Sequence, residues 1–261
     1  MFLRFALVQS DIKPNAVQKN LEHYRQMLDD FKKNVDVIIF PELFNVGVSS
    51  SFGQYAESME GNTINFLHEI SSQREADVVA SLPIKEGDKI FNRLVWVTPD
   101  GVLAHYDKRH LFFGNEKAIC TPGSKRQFVE RKGWKFLPQI CYDVRFPLWS
   151  RNRFQENSFD YDVLIFIANF PEARIKVLRT LAQARAIENQ AYVVVVNRIG
   201  KDGNGVAHNG NSMIIDPLGR IVTQTLNDVE TILDGTASKR ILLKVREELA
   251  VAPDWDTFTE F

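Results

Sequence analysis

The sequence predicts an α/β protein in which helices cover one mixed sheet or two sheets. Short apolar runs of strand length alternate with helical segments both early and late in the chain. Several runs, such as residues 35–40, are apolar almost throughout, which is typical of strands covered on both faces. Turn residues such as Pro99-Asp100-Gly101 separate runs in the middle of the chain and indicate antiparallel hairpins.

The first helix has the clearest periodicity. Apolar residues follow one another at steps of three and four from Val17 to Phe31, which forms one face of a helix, and Asn15 is expected to cap it. Further helices are expected over residues 63–74 and 173–190, and a last helix is capped by Ser238. Strands are expected over residues 3–9, 35–40, 78–82, 91–97, 102–106, 136–141, 163–168, 192–197, 212–216, 220–225 and 231–233.

The composition excludes several classes of function. The 261 residues carry a formal net charge of −1 and no basic run, so a nucleic acid is not an expected partner. No apolar stretch approaches the roughly 20 residues of a membrane span, and no signal peptide is recognised, so we expect neither a membrane partner nor export. The two cysteines, Cys120 and Cys141, are expected to be free thiols in the reducing cytoplasm. No repeat or linker is visible, and residues 1–261 are interpreted as a single domain.

Three reactive side chains each follow a strand-like run directly. Glu42 follows residues 37–41, Lys108 follows residues 102–107, and Cys141 ends the run 136–141. Ligands of α/β proteins favour the carboxyl ends of strands. We therefore expect the three side chains to converge at one end of a sheet. Taken singly, each has a plain structural interpretation, as a loop carboxylate, a solvated charge and a buried thiol.

Together the three groups predict acyl transfer. A thiolate is a strong nucleophile, and a nearby cation such as Lys108 lowers the pKa of a thiol. Glu42 is expected to take the thiol proton and pass it to a leaving amine. Lys108 and the backbone N–H of Tyr142 are expected to stabilise the oxyanion. The predicted reaction passes through a thioester on Cys141, with a small-molecule amide as substrate and no cofactor.

The runs around these residues resemble a known family. Residues 40–42, 106–112 and 141–147 read FPE, YDKRHLF and CYDVRFP, and they resemble the three motifs of the nitrilase, or carbon–nitrogen hydrolase, superfamily. Residues 184–193, 197–203 and 210–219 extend the resemblance over nearly the whole chain. It implies an α/β fold of nitrilase type, an αββα sandwich of two mixed sheets flanked by helices. It also implies a homodimer formed sheet to sheet.

The resemblance implies further details of the site. Glu116 lies where the family has a second glutamate, which positions the lysine and the substrate. The runs CYDVRFP and RAIENQAYV are most similar to those of omega-amidases, which deamidate monoamides of 2-oxo dicarboxylic acids such as 2-oxoglutaramate. An N-carbamoyl or aliphatic amide hydrolase of the same superfamily, or a non-catalytic scaffolding homologue, is the alternative.

A substrate of this class carries a free carboxylate, so the pocket should contain a cation. Arg174 and Arg198 follow strand ends and are the expected ligands of that carboxylate, ahead of Arg145. Phe44 and Phe112 are expected to wall the pocket.

A Cys–His site or a metal site fits the sequence less well. The five histidines are scattered, and only His208, in a glycine-rich loop, is placed to approach a cleft. Neither cysteine has a CxxC partner, so no metal site is expected. Cys120 is expected to be a non-catalytic thiol.

Overall fold

The computed structural model describes residues 1–257, and most of its strands form two six-stranded sheets. The strands are β1 (Phe2–Gln9), β2 (Val37–Ile39), β3 (Asp77–Glu86), β4 (Lys89–Thr98), β5 (Gly101–Asp107), β6 (Val129–Arg131), β7 (Trp134–Ile140), β8 (Phe154–Gln155), β9 (Ser158–Phe159), β10 (Val163–Ile167), β11 (Tyr192–Val196), β12 (Ile199–Lys201), β13 (Ala207–Asn209), β14 (Met213–Ile215), β15 (Ile221–Gln224) and β16 (Thr231–Ser238). The helices are α1 (Val17–Asp30), α2 (Asn62–Arg74), α3 (Asn115–Ile119), α4 (Pro147–Ser150), α5 (Ile175–Asn189) and α6 (Lys239–Glu248).

Both large sheets are mixed. The first has the strand order β16-β1-β2-β3-β4-β5, and the second has the order β15-β14-β11-β10-β7-β6. Strands β1, β2 and β3 are parallel neighbours, as are β7, β10 and β11, while the outer strands are antiparallel. Two small hairpins, β8-β9 and β12-β13, stand apart from the sheets.

The layer order follows from how alternate side chains of β1 are buried. Leu3 and Phe5 belong to the main core, which fills the space between the two sheets. Ala6 and Val8 point the other way, into a second core formed with α1 and α2. Helix α5 covers the outer face of the second sheet. The structure is thus an αββα sandwich, which confirms the predicted fold class.

Two helix starts test the predicted caps. Ser238 caps α6, because its Oγ accepts a hydrogen bond from the Ile241 N–H. The prediction for Asn15 is wrong, since α1 begins two residues later and Asn15 has a left-handed φ of 57°. The Asn15 side chain instead bonds Ser49 and Ser51, at 2.7 and 3.1 Å, and so holds a loop. None of the helices in residues 1–257 is long and apolar enough to cross a membrane.

The reactive strand ends lie in two sheets rather than one. Strands β2 and β5, which lead to Glu42 and Lys108, run in the same direction in the first sheet. Strand β7, which leads to Cys141, belongs to the second sheet. The expectation of a single sheet edge is therefore wrong, and the three residues meet across the sandwich.

Candidate active site

Cys141 lies on a sharp turn. Strand β7 ends at Ile140, Cys141 has a left-handed φ of 46°, and a 3-10 turn follows over Cys141–Arg145. A left-handed non-glycine residue costs about 1–3 kcal/mol, so surrounding contacts must hold it in place. The turn directs the thiol out of the strand and into a cavity.

Glu42 is buried behind this turn. Its Oε2 accepts the Asn169 N–H at 2.9 Å, and its Oε1 accepts Lys108 Nζ at 2.7 Å and Asn92 Nδ2 at 2.9 Å. The Cys141 thiol lies close enough to the same carboxylate for each group to shift the pKa of the other. Glu42 is therefore in contact with both other predicted groups.

Lys108 lies between two carboxylates. Besides Glu42, its Nζ contacts Glu116 Oε1 at 2.9 Å and Oε2 at 2.8 Å. Glu116 is itself fixed by the Phe112 N–H at 2.7 Å and by Asn92 Nδ2 at 2.8 Å. The ammonium is only 2% exposed, so it cannot swing away into solvent.

The charges around the thiol favour its neutral form. Burial raises the pKa of the Glu42 carboxyl, against the opposing charge of Lys108. Burial lowers the pKa of Lys108, but Glu116 and Glu42 outweigh it and hold that pKa well above its usual value. Burial and the Glu42 charge raise the pKa of Cys141 well above its usual value. Lys108 lowers the pKa of the thiol, as expected, but its single charge does not offset burial and the Glu42 charge.

A cavity of about 360 Å³ contains the thiol. Its walls are partly apolar, with Leu43, Val48 and Phe52 on one side. The other residues that line it are Glu42, Lys108, Phe112, Phe113, Gly114, Asn115, Glu116, Cys141, Tyr142, Arg145, Asn169, Phe170, Pro171, Arg174, Asp202, Asn204, Val206 and His208. The cavity therefore unites Glu42, Lys108, Glu116, Cys141 and Tyr142 with two arginines.

Arg174 is placed as a cavity cation. Its guanidinium lies over the rings of Phe112, at 5.0 Å, and Phe170, at 5.9 Å. Arg145 lies over Tyr142 at 5.9 Å on the same wall. Neither arginine forms an ion pair with any carboxylate of residues 1–257.

Arg198 is not in the cavity, so its prediction as a substrate ligand is wrong. The side chain is fully buried and pairs with Asp11 at 3.0 Å. It also donates to the carbonyls of Ile12, Ile199 and Lys201, at 2.7 to 3.1 Å. Through these bonds, Arg198 joins the chain segment after β11 to the segment after β1.

Phe44 does not wall the cavity either. Leu43 has a left-handed φ of 49°, which reverses the chain after Glu42. Phe44 therefore enters the core below α1, with its ring centroid 4.9 Å from that of Phe40 and 5.4 Å from that of Tyr24. Phe112 does line the cavity, as predicted.

His208 and Cys120, which the sequence analysis also considered, are both buried. His208 reaches the cavity wall, where its Nδ1 lies 3.0 Å from the Val206 carbonyl, and burial lowers its pKa to about 4. Cys120 is buried in a small apolar cluster with Leu43 and Val46, and burial raises its pKa to about 12. No disulfide forms between the two cysteines.

The sequence reasoning missed two asparagines. Asn92 donates hydrogen bonds to both Glu42 and Glu116. The sequence feature that could have identified it is its position as a polar residue within the largely apolar strand β4. Asn169 follows β10 just as the other reactive residues follow their strands, and that position was the available signal. Its backbone N–H binds Glu42, while neither polar atom of its buried side chain has a partner within residues 1–257.

The family model for carbon–nitrogen hydrolases matches residues 4–240. The chain belongs to the carbon–nitrogen hydrolase family. Omega-amidase YafV of Yersinia enterocolitica is 39% identical over 98% of both chains, and that of Escherichia coli strain K12 is 35% identical over 99% of this chain and 98% of its own. A crystal structure of XC1258 from Xanthomonas campestris, a CN-hydrolase superfamily protein, is 38% identical, with a TM-score of 0.96 and 99% of each chain covered.

These similarities confirm the nitrilase-superfamily resemblance and its omega-amidase branch. This carbon–nitrogen hydrolase is an amide-hydrolysing enzyme. A 2-oxoglutaramate amidase of Bacillus subtilis is 28% identical over 95% of both chains.

Proposed function

We propose that this carbon–nitrogen hydrolase is an omega-amidase. It hydrolyses monoamides of dicarboxylic acids, including 2-oxo acids such as 2-oxoglutaramate, and releases ammonia. The observation that carries the proposal is that the cavity of Cys141 also contains Arg174 without a carboxylate partner in residues 1–257. A monoamide with a carboxylate at its other end matches a thiol and a cation in one small cavity. The names of the similar proteins support the same substrate class.

In the first half of the proposed reaction, Cys141 Sγ attacks the amide carbon while its proton moves to Glu42. Because the resting thiol is neutral, proton transfer and attack must be coupled, and the neighbouring Glu42 carboxylate accepts the proton. The oxyanion forms beside Lys108 and the Tyr142 N–H. A bifurcated bond to Glu116 uses one Nζ proton and the bond to Glu42 a second, which leaves a third for the oxyanion.

Collapse of this intermediate breaks the C–N bond. Glu42 returns its proton to the nitrogen, ammonia leaves, and the acyl group remains on Cys141 as a thioester. Water then attacks the thioester and gives a proton to Glu42. A second collapse releases the carboxylic acid and returns the proton to the Cys141 thiol. One amide and one water are consumed, and one acid and one ammonia are formed.

Arg174 binds the distal carboxylate in this proposal. Its guanidinium lies over the Phe112 ring, 5.0 Å from the centroid, and can donate two parallel hydrogen bonds to a carboxylate. Arg145 lies on the same wall and adds positive potential. Arg174 therefore selects the end of the substrate that is not hydrolysed.

The test measures ammonia release from 2-oxoglutaramate, succinamate and butyramide. A hydrogen bond to a charged group contributes about 1.5–3 kcal/mol, so butyramide should have a kcat/KM roughly 10–100-fold below that of succinamate. Arg174→Ala should raise KM for succinamate about tenfold or more and leave butyramide almost unchanged. Arg179→Ala is the matched control, because it removes an exposed arginine of helix α5, which begins directly after Arg174. Equal hydrolysis of butyramide and succinamate would refute the substrate class.

We also propose a cytoplasmic homodimer. Two buried free thiols suit a reducing compartment. Leu148 of α4 and Ile187 of α5 are more than half exposed, and Leu218 lies beside Ile187, against which Gly219 packs. This group, called the α4–α5 patch below, supports an interface between two copies through helices rather than directly sheet to sheet, because α5 covers the outer face of the second sheet.

A further inference from the structure

We propose that Asp143 is a positioning residue. It fixes residues 106–110, called the Lys108 segment, against the turn Cys141–Arg145, called the Cys141 turn. Its carboxylate binds both strand exits. Oδ2 accepts the N–H of Ile140, directly before Cys141, at 3.1 Å. Oδ1 accepts the N–H of His110, two residues after Lys108, at 3.1 Å. A single buried carboxylate thus joins the chain after β5, in the first sheet, to the end of β7, in the second sheet.

Tyr106 extends the same link. Its hydroxyl donates to Asp143 Oδ2 at 2.8 Å and accepts the N–H of Arg109 at 3.1 Å. Trp149 Nε1 donates to that hydroxyl at 2.9 Å. The residues on both sides of Lys108 are therefore bonded to one network, and α4 closes it from outside through Trp149.

The His110 ring completes the connection. Its Nδ1 lies 2.8 Å from Asp143 Oδ1, so the imidazole donates a second bond to the atom that holds its own backbone. The ring also stacks on Phe146, with 3.6 Å between centroids and 7° between planes. Phe146 follows the 3-10 turn that begins at Cys141. The Lys108 segment is thereby packed along the whole turn.

This arrangement addresses two requirements of the chemistry. Cys141 keeps a left-handed φ of 46°, a conformation that persists only where neighbouring bonds over-determine it. Lys108 must also stay in register with the thiol, since a misplacement of about 1 Å can cost about 100-fold in rate. Asp143 does not line the cavity, so it acts through Cys141 and Lys108 rather than on the substrate. The inference rests on the proposed function of those two residues.

The decisive variant is Asp143→Asn. The Asn amide keeps the shape of the carboxylate, but its nitrogen can only donate. The N–H or O–H groups that bond the replaced oxygen in the wild type therefore lose their acceptor. We expect kcat for succinamate to fall about 10–100-fold with KM nearly unchanged, because Arg174 is not disturbed. The rate of Cys141 alkylation by iodoacetamide, followed by peptide mass spectrometry, should fall in parallel. Tyr106→Phe removes the three hydrogen bonds of the tyrosine hydroxyl but keeps those of Asp143 to Ile140 and His110, so it should give a smaller effect of the same kind.

The matched control is Asp77→Asn. Asp77 is a fully buried carboxylate at the opposite end of the first sheet, bonded to Trp96 Nε1 and to Arg131 at 2.9 to 3.0 Å. Its loss should lower Tm and leave kcat and Cys141 alkylation as in the wild type. If Asp143→Asn does not fold, Tyr106→Phe decides. The inference fails if the folded variants of Asp143 and Tyr106 keep kcat and the alkylation rate within about twofold of the wild type. Because alkylation needs no substrate, a wrong substrate class cannot imitate that result.

Discussion

At the scale of single residues, the two cysteines have the same chemistry and different neighbours. Cys141 lies beside the Glu42 carboxylate and opens into the cavity, whereas Cys120 is packed among apolar side chains. Cys141→Ala should abolish ammonia release and leave the fold intact, and Cys120→Ala should remain active. Circular dichroism and ammonia release on both variants check this. Retention of a tenth of wild-type activity by Cys141→Ala would rule out the thioester route.

The charge arrangement also predicts a pH profile. With its pKa raised well above the ordinary value, an unassisted thiol would react with iodoacetamide about tenfold faster for each pH unit up to high pH. With Glu42 as base, the rate should instead level off once the Glu42 carboxyl is ionised. It should fall on the acid side at a pH above 4.5, because burial raises the pKa of Glu42 from that value. Glu42→Gln should remove the plateau, and a wild-type profile without one would show that Glu42 is not the base.

The sequence predicted which residues meet around the thiol better than it predicted which arginines and phenylalanines line the cavity. Glu42, Lys108, Glu116 and Cys141 lie in motif runs, and the structure brings all four together. Arg198, in contrast, follows a strand end as Arg174 does, and only its contacts reveal that it is structural. A strand exit alone does not say whether a side chain turns into the cavity or into the core.

At the scale of elements, the strands were predictable because their residues are apolar, but their sheet membership was not. Strands β2 and β10 are both buried on every residue, so neither shows the alternation that would mark an outer face. The contacts of Glu42 with the Asn169 N–H, across the two sheets, depend on that membership. Long-range register was therefore the missing information.

Helix α6 is held to the second sheet by ion pairs with one buried carboxylate. Asp162 precedes β10, and its carboxylate forms ion pairs with Lys239 at 2.6 Å and Arg246 at 2.7 Å, both from α6. Burial raises the pKa of Asp162, but these two cations outweigh it and lower that pKa below its usual value. Asp162→Asn should cost about 3 kcal/mol of unfolding free energy at pH 7, because it leaves buried cations without a partner.

The sign of the pH dependence follows from the lowered pKa. The contribution of Asp162 should be fully present above about pH 4, near the ordinary carboxyl value, and be lost as the pH falls through the lower folded-state pKa. Urea unfolding of the variant and the wild type between pH 7 and pH 3 measures the difference. Asp234→Asn, which breaks an exposed pair with Lys33, should change stability by less than about 1 kcal/mol. A difference for Asp162→Asn that had vanished by pH 5 would contradict the assignment.

At the scale of the whole molecule, the exposed apolar residues indicate how two copies meet. The two helices that carry the α4–α5 patch are joined, because the Arg151 side chain after α4 donates to the Glu188 carbonyl of α5. In a monomer, Leu148 and Ile187 would remain 53% and 56% exposed. The patch also lies behind the Cys141 turn, since Arg185 of α5 donates to the Val144 carbonyl at 2.9 Å. An interface there would support the site from outside.

Light scattering tests this directly. The wild type should have a molar mass of about twice 29.9 kDa. Leu148→Glu combined with Ile187→Glu places two charges in the α4–α5 patch, and like charges facing each other across a two-fold interface should convert the dimer to a monomer. Leu226→Glu is the control, since Leu226 is 74% exposed on the loop after β15 and should leave the dimer intact. Because Arg185 links the patch to the Cys141 turn, the monomer should also show a lower kcat. A double variant that stays dimeric would place the interface on another face of the sandwich.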